Sequence, residues 1–373
     1  MKQFRLPHIL LILMTVLICI LIWHEIEYAS CAQLTRDLGA YRIDHLELNH
    51  QLADFFSTHE VVSLGLKISV VLVGFICLLG FIRMLIISRY KNAKLTVIAF
   101  FIAAACFGYY HARFVHLRFD RIVDNKGLEW YYYGEREDSF IGYQRNPLFI
   151  ASQAITYYDE FKETNDEETR TYFHNCINYL MEDKVVEGDA TYFTGDFDLV
   201  AYDEPVGWKC GLTNSRVILA MMAAHEESGD TTYLEVAHSV LFPFTIPITK
   251  GGLVIKLSDK SWWFCEYPKP NGDSPMVLNG KLSILIAMHK YYEYSNDELA
   301  MELYEKGLVA LKDNLARFDD NGFSFYDLKN KSAGKSYHMI HISLLKQLYA
   351  FEPDPLFETY RVKWQNYATE QDW

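Results

Sequence analysis

Three apolar blocks, at residues 6–23, 61–87 and 95–110, decide what the first third of this 373-residue chain can become. A helix needs about 20 predominantly apolar residues to cross a bilayer, with a range of about 17–25. The first block holds no Lys, Arg, Asp or Glu, and the second has only Lys67 near its start and Arg83 near its end. The third is slightly short, so a buried core helix is its other reading. Lys2 and Arg5 could serve a signal peptide, but the run is long for one, and His24, Glu25 and Glu27 follow it directly. Three retained transmembrane helices are expected.

Their orientation follows from the basic residues at their ends. Lys2 and Arg5 precede the first span, while Arg83, Arg89, Lys91 and Lys94 gather between the second and third. The loop over residues 24–60 has only Arg36 and Arg42 against seven acidic residues. Arg113, Arg118 and Arg121 point the other way and are outnumbered. The expectation is a multi-pass membrane protein with a cytoplasmic N-terminus and a periplasmic, extracellular or lumenal C-terminal domain.

Charge divides the chain. Residues 1–111 carry 9 basic and 7 acidic groups, and residues 112–373 carry 26 and 41. So acidic a domain is a poor nucleic-acid binder. It gains no long-range attraction to an anionic polymer, so such a substrate would need local Lys or Arg. The seven cysteines show no metal-ligand spacing and no dense disulfide framework, which leaves buried free thiols with at most one bridge.

Residues 1–111 are read as a membrane anchor, 112–145 as an aromatic lead-in with one hairpin, and 146–373 as one helical domain. Asn146-Pro147 and Asp354-Pro355 are cap-then-Pro helix starts. Helical periodicity places helices after 147, over 167–183, 212–227, after Asp230, and over 275–292, 297–318, 337–351 and 354–367. Residues 185–207 and 250–267 read as short hairpins and loops. The fold class is therefore all-α dominated with short β-hairpins. Antiparallel helix pairs wound into a toroid bury such faces naturally.

Trp262-Trp263-Phe264-Cys265-Glu266-Tyr267-Pro268, followed by Val277-Leu278-Asn279-Gly280, resembles the EEYP…VLNG signature of heparosan-type D-glucuronyl C5-epimerases. Three further segments resemble that family in its own order. These are Gly207-Trp208 through Ala237, Phe325-Tyr326-Asp327-Leu328, and Tyr337-His338-Met339-Ile340-His341-Ile342. Residues 143–158, with Tyr143, resemble its earlier helix more loosely. The resemblance spans roughly residues 140–370 and implies an incomplete (α/α) toroid acting on uronic acids in a polysaccharide. Two departures stand out. Lys329 occupies a position where the family usually has Arg, and an ammonium cannot grip a carboxylate bidentately. The animal enzymes also carry a β-sandwich domain between the early helix and the Gly-Trp segment, and about 45 residues separate these here, too few for a domain.

C5 epimerisation removes the proton alpha to a sugar carboxylate and returns one to the other face. It needs a base, an acid opposite, and a cation or donors for the developing enediolate. The resemblance implies Glu266 as base, Tyr337 as its counterpart, Tyr326 as assistant, and Tyr267, Lys329, Asn279, His338, Tyr143 and Trp208 as substrate-binding residues. With 26 tyrosines, any one of them is otherwise core or rim. His338 and His341 otherwise read as satisfied core histidines, and no third ligand stands with them, so neither metal nor cofactor is expected. The implied function is a membrane-anchored uronosyl C5-epimerase acting on a uronic-acid-containing polysaccharide. A lyase or hydrolase on the same fold is the alternative, although a hydrolase needs two carboxylic acids and only Glu266 is at hand. A non-catalytic sugar-binding partner in a polysaccharide synthesis or export complex is a third reading, favoured by three spans where one would anchor.

Overall fold

An Asn or Asp whose side chain accepts a first-turn amide, followed by a Pro with no amide to leave unpaired, fixes where a helix begins. Asn146 Oδ1 accepts from Leu148 N at 2.9 Å to open α1 (Pro147–Thr164), and Asp354 Oδ1 does the same for Leu356 N at 2.9 Å to open α8 (Pro355–Glu370). The computed structural model describes residues 121–371, apart from 134, 137, 138, 142, 200 and 201, and these fall in two units. The three apolar blocks lie outside the described residues. Among the described residues no helix is long and apolar enough to cross a membrane.

The described part of the first unit is built on short strands. A three-stranded sheet runs in the order β1 (Arg121–Val123), β2 (Glu129–Tyr132), β5 (Tyr143–Gln144), with Tyr132 opposite Tyr143. A two-residue hairpin, β3 (Glu135–Arg136) and β4 (Ser139–Phe140), stands apart from it.

The second unit is dominated by helices, eight α-helices among the described residues. Between α1 and α8 come α2 (Glu167–Asp183), α3 (Gly211–Ser228), α4 (Thr232–Ser239), α5 (Leu278–Ser295), α6 (Glu298–Asn314) and α7 (Gly334–Phe351). The odd-numbered helices α1, α3, α5 and α7 pack one beside the next, and each is backed by its successor in sequence. Burial follows this two-row order. Eleven of the eighteen residues of α3 and of α5 are buried, against five of seventeen in α2 and three of sixteen in α8. A helix walled on several sides must be apolar nearly all round, whereas an outer helix needs one stripe. Two hairpins join the rows: β6 (Val185–Glu187) with β7 (Ala190–Tyr192), and β8 (Val254–Lys256) with β9 (Trp262–Phe264).

Two helix starts differ from the sequence pattern. Val277 is extended and bridges Asp327, so α5 begins at Leu278 instead of near 275. Helix α7 begins at Gly334, three residues earlier than its apolar pattern suggests, which puts Tyr337 in its first turn. Cys210 and Cys265 are buried free thiols, and Cys176 is buried as well.

One residue inside this core breaks the apolar rule. Lys281 on α5 is fully buried, with Nζ 2.9 Å from Trp262 O and 4.0 Å over the Phe264 ring. Gly307 on α6 makes the room, since a Cβ there would stand 2.8 Å from Nζ and 2.6 Å from the Phe264 ring. Burial holds the amine well below the usual lysine range. The unfolded chain binds that proton up to pH about 10.4. Stability therefore rises with pH between the folded and unfolded values, by up to about 1.4 kcal/mol per pH unit. Lys281→Met should remove that slope, so the gap in melting temperature between variant and wild type narrows from pH 7 to pH 9. A constant gap would mean that the lysine is charged in the fold.

Candidate active site

Strand β9 ends in a backbone clamp. Cys265 N donates to Leu253 O at 2.8 Å, and Glu266 O accepts from Gly211 N, the first residue of α3, at 3.0 Å. Glu266 is thereby fixed at the meeting of β9, α3 and α5, and is 4% exposed. Its carboxylate lies against the first turn of α5, with Oε2 3.5 Å from Asn279 Nδ2. A Cβ on Gly280 would sit 2.5 Å from Oε2, so only glycine leaves the carboxylate its place. Burial pushes the Glu266 carboxyl up to about 7, against smaller opposing effects of hydrogen bonds from Tyr267 and Asn279 and of the Lys331 charge.

Four tyrosines surround it. Tyr202 stacks on Tyr267, with centroids 3.9 Å apart and planes 24° apart. The Tyr202 and Tyr326 hydroxyls share a hydrogen bond of 2.9 Å, and the Tyr326 and Tyr337 rings meet edge to face at 4.7 Å and 71°. Tyr202 is held by a closed loop in which Tyr202 N donates to Leu199 O at 3.1 Å and its carbonyl accepts from Lys269 Nζ at 3.1 Å. Tyr326 is held by Leu278 N, which donates to its carbonyl at 3.0 Å. Tyr337 is the most open of the four, at 39% exposure. Burial is the largest cause that pushes all four phenols above their usual value, and the Glu266 charge adds to it in each. At neutral pH they are proton donors.

The cluster thus sets one carboxyl poised to gain or lose a proton near neutrality beside several phenols that hold theirs. Residues 187–366 match the sequence model of the D-glucuronyl C5-epimerase C-terminus. Over that span, just under half of its length, the chain is similar to that family. The matched span contains the four motifs and all four tyrosines of the cluster, and what it is similar to is a carbohydrate-epimerase sequence. It is 29% identical over 183 residues to a D-glucuronyl C5-epimerase of Caenorhabditis elegans, covering 44% of this chain but only 29% of the worm protein. It is 27% identical over 260 residues to an uncharacterized protein of Methanocaldococcus jannaschii, covering 65% of this chain and 84% of that one. Among solved structures, cellobiose 2-epimerase from Bacillus thermoamylovorans superposes with a TM-score of 0.47 at 12% identity, over 66% of this chain and 67% of that chain.

Of the residues singled out from the family pattern, Glu266, Tyr267, Asn279, Tyr326 and Tyr337 come together. Asn279 keeps a buried Oδ1 with no hydrogen-bond partner among the described residues. Trp208 stands beside the cluster, 6.5 Å from Tyr267, with its Nε1 donating to Phe197 O at 2.8 Å. Tyr143 lies on β5 of the first unit. Lys329 is turned aside, its Nζ 2.6 Å from Asp273 Oδ1.

His338 is fully buried in the core, not at the site. Its Nδ1 accepts from Ser324 N at 2.9 Å, and its Nε2 donates to Trp364 O at 3.0 Å. Ser324 Oγ also bonds His341 Nδ1 at 2.8 Å, leaving His341 Nε2 buried without a partner among the described residues. Burial, helped by His338, pushes His341 down to about 3. The unfolded chain protonates this histidine near pH 6.5, so stability is lost as pH falls below that value, by about 2 kcal/mol from pH 7 to pH 5. In urea unfolding, His341→Leu should lose less stability than wild type over that interval. Equal losses would place the acid sensitivity elsewhere.

Two members of the cluster, Tyr202 and Lys331, were absent from the sequence reading. Tyr202 sits six residues before Trp208 in a segment without periodicity, and no pattern distinguishes it.

Proposed function

We propose that this protein inverts C5 of uronic acid residues in a polysaccharide, by taking a proton from one face and returning one to the other. The observation that carries the reading is Glu266, a buried carboxyl raised to about 7 and ringed by phenols that stay protonated. The carboxylate takes the proton alpha to the sugar's carboxylate. Tyr337, in contact with Tyr326, delivers a proton to the opposite face. Tyr202 and Tyr326, sharing one hydrogen bond, hold Tyr337 and the sugar in register. Two rows of helices, with α3, α5 and α7 each contributing to the site, support an incomplete (α/α) toroid as the scaffold. The apolar blocks and their flanking charges support an anchor of three spans with this domain outside the cytoplasm, where a polysaccharide synthesis or export complex would meet it.

The test uses the full chain and a glucuronate-containing oligosaccharide in D2O. Deuterium at C5 of a newly formed epimer is expected. An unsaturated product absorbing in the near ultraviolet would make the protein a lyase instead. Sugar binding without exchange, across a panel of uronic-acid polymers, would make it a binding partner.

A further inference from the structure

A carbanion alpha to a carboxylate spreads its charge onto both carboxylate oxygens, so the site needs a cation where that carboxylate rests. The family pattern points to Lys329, but Lys329 is engaged by Asp273, with Nζ 2.6 Å from Oδ1 and 3.0 Å from the Asp273 carbonyl. The chain instead returns a second lysine to the cluster. Asp327 Oδ1 accepts from Lys329 N at 2.9 Å and from Lys331 N at 3.3 Å, and Asn330 takes a left-handed φ of 64°. This tight turn lets Tyr326 N donate to Lys331 O at 2.6 Å, with Phe325 bridging Ser332 beside it. Lys331 therefore lies across from Tyr326, its Nζ 4.9 Å over the Tyr326 ring and 5.7 Å over the Tyr202 ring. It is exposed, no carboxylate among the described residues is ion-paired with it, and its charge reaches Glu266.

We propose that Lys331, set over the Tyr326 and Tyr202 rings, and not Lys329, receives the uronate carboxylate and the enediolate charge that grows on it. This rests on the uronate reading above and names the residue that would make the site select acids over neutral sugars. The ammonium is a point charge, so it tolerates the change in carboxylate direction that accompanies inversion at C5. In an acidic domain it supplies the local attraction that the net charge withholds.

The experiment measures binding and turnover of a glucuronate-containing tetrasaccharide and of its carboxyl-reduced form, using the full chain. Binding is read in a Glu266→Gln background, where turnover is absent. Lys331→Ala should weaken binding of the uronate form about tenfold or more and leave the reduced form unchanged. Lys331→Arg should restore most of the loss, and Lys329→Ala should change binding by less than about threefold. In turnover, Lys331→Ala should raise KM and also lower kcat, because the charge grows in the transition state. Equal weakening of both sugar forms would reduce Lys331 to a structural role and overturn the proposal, as would a loss confined to Lys329→Ala. If wild type shows no exchange at C5 while uronate binding still depends on Lys331, the epimerase reading falls and the carboxylate site stands. Failure of the uronate form to bind at all overturns the assignment of Lys331.

Discussion

Glu266→Gln is expected to cut C5 deuterium incorporation about 10²–10⁴-fold while making the protein more stable above neutral pH. Both effects come from the same burial. The carboxyl is 4% exposed and raised to about 7, so near neutrality it is ionised often enough to act as a base and is basic enough to pull on a weakly acidic C–H. In wild type, kcat/KM should climb with pH up to about 7 and level off above it. The stability effect runs the other way. The unfolded chain releases this proton near pH 4.5, while the folded chain keeps it to about 7. The stability contributed by the protonated form is therefore complete below about 4.5 and is lost as pH rises through about 7. Glutamine fills the same volume and never ionises, so the variant keeps what wild type loses, roughly 3 kcal/mol at pH 8. A variant that loses activity but melts at or below the wild-type temperature at pH 8 would mean that the carboxylate is well paired in the fold and its raised value is wrong. A variant that keeps deuterium incorporation within about tenfold would remove Glu266 as the base.

Helix positions were legible where a local device dictates them. Asn146-Pro147 and Asp354-Pro355 carry their own caps, and the apolar stripe of α6 needs only one neighbour. Starts set by tertiary contact were less so. Val277 stays extended because Asp327, fifty residues on, bridges it. Glu266 and its tyrosines were legible only through resemblance, since nothing in a run of aromatics says which ring will lie beside a buried carboxyl. Which lysine faces the cluster is decided by a physical detail. Lys329 and Lys331 are equivalent as sequence, and the choice between them falls to a left-handed Asn330 and to the Asp327 carboxylate that ties both amides. His338 shows the reverse case. Its place in a motif suggested substrate, but the fold spends both its nitrogens on Ser324 and Trp364. Lys281 was not singled out at all, because a lysine in the first turn of a helix is ordinarily solvated. Only the glycine at 307, on another helix, makes its burial possible.

Tyr337→Phe is expected to separate the two halves of the reaction. On the proposed mechanism, Glu266 removes the C5 proton in wild type and a solvent-exchanged phenol delivers deuterium to the other face, so each inversion would leave one deuterium in the new epimer. Tyr337 suits the second role better than its neighbours. It is 39% exposed and so equilibrates with D2O, while Tyr326 is 3% exposed and committed to Tyr202. All these phenols are raised, so none competes with Glu266 for the first proton transfer in the resting site. Without the Tyr337 hydroxyl the carbanion can be quenched only from the Glu266 side, which regenerates the starting sugar. Deuterium in the inverted epimer should fall about 10²–10⁴-fold, and any residual label should sit in the starting epimer. Glu266→Gln, by contrast, should lose label from both. The measurement is the NMR distribution of C5 deuterium between the two epimers, with the Phe ring preserving the edge-to-face contact on Tyr326 so that the fold is unchanged. Inverted product labelled at the wild-type rate in Tyr337→Phe would move the acid to Tyr326 or Tyr202. Equal loss of label from both epimers would mean that Tyr337 acts with Glu266 on a single face, and the two-face arrangement would have to be abandoned.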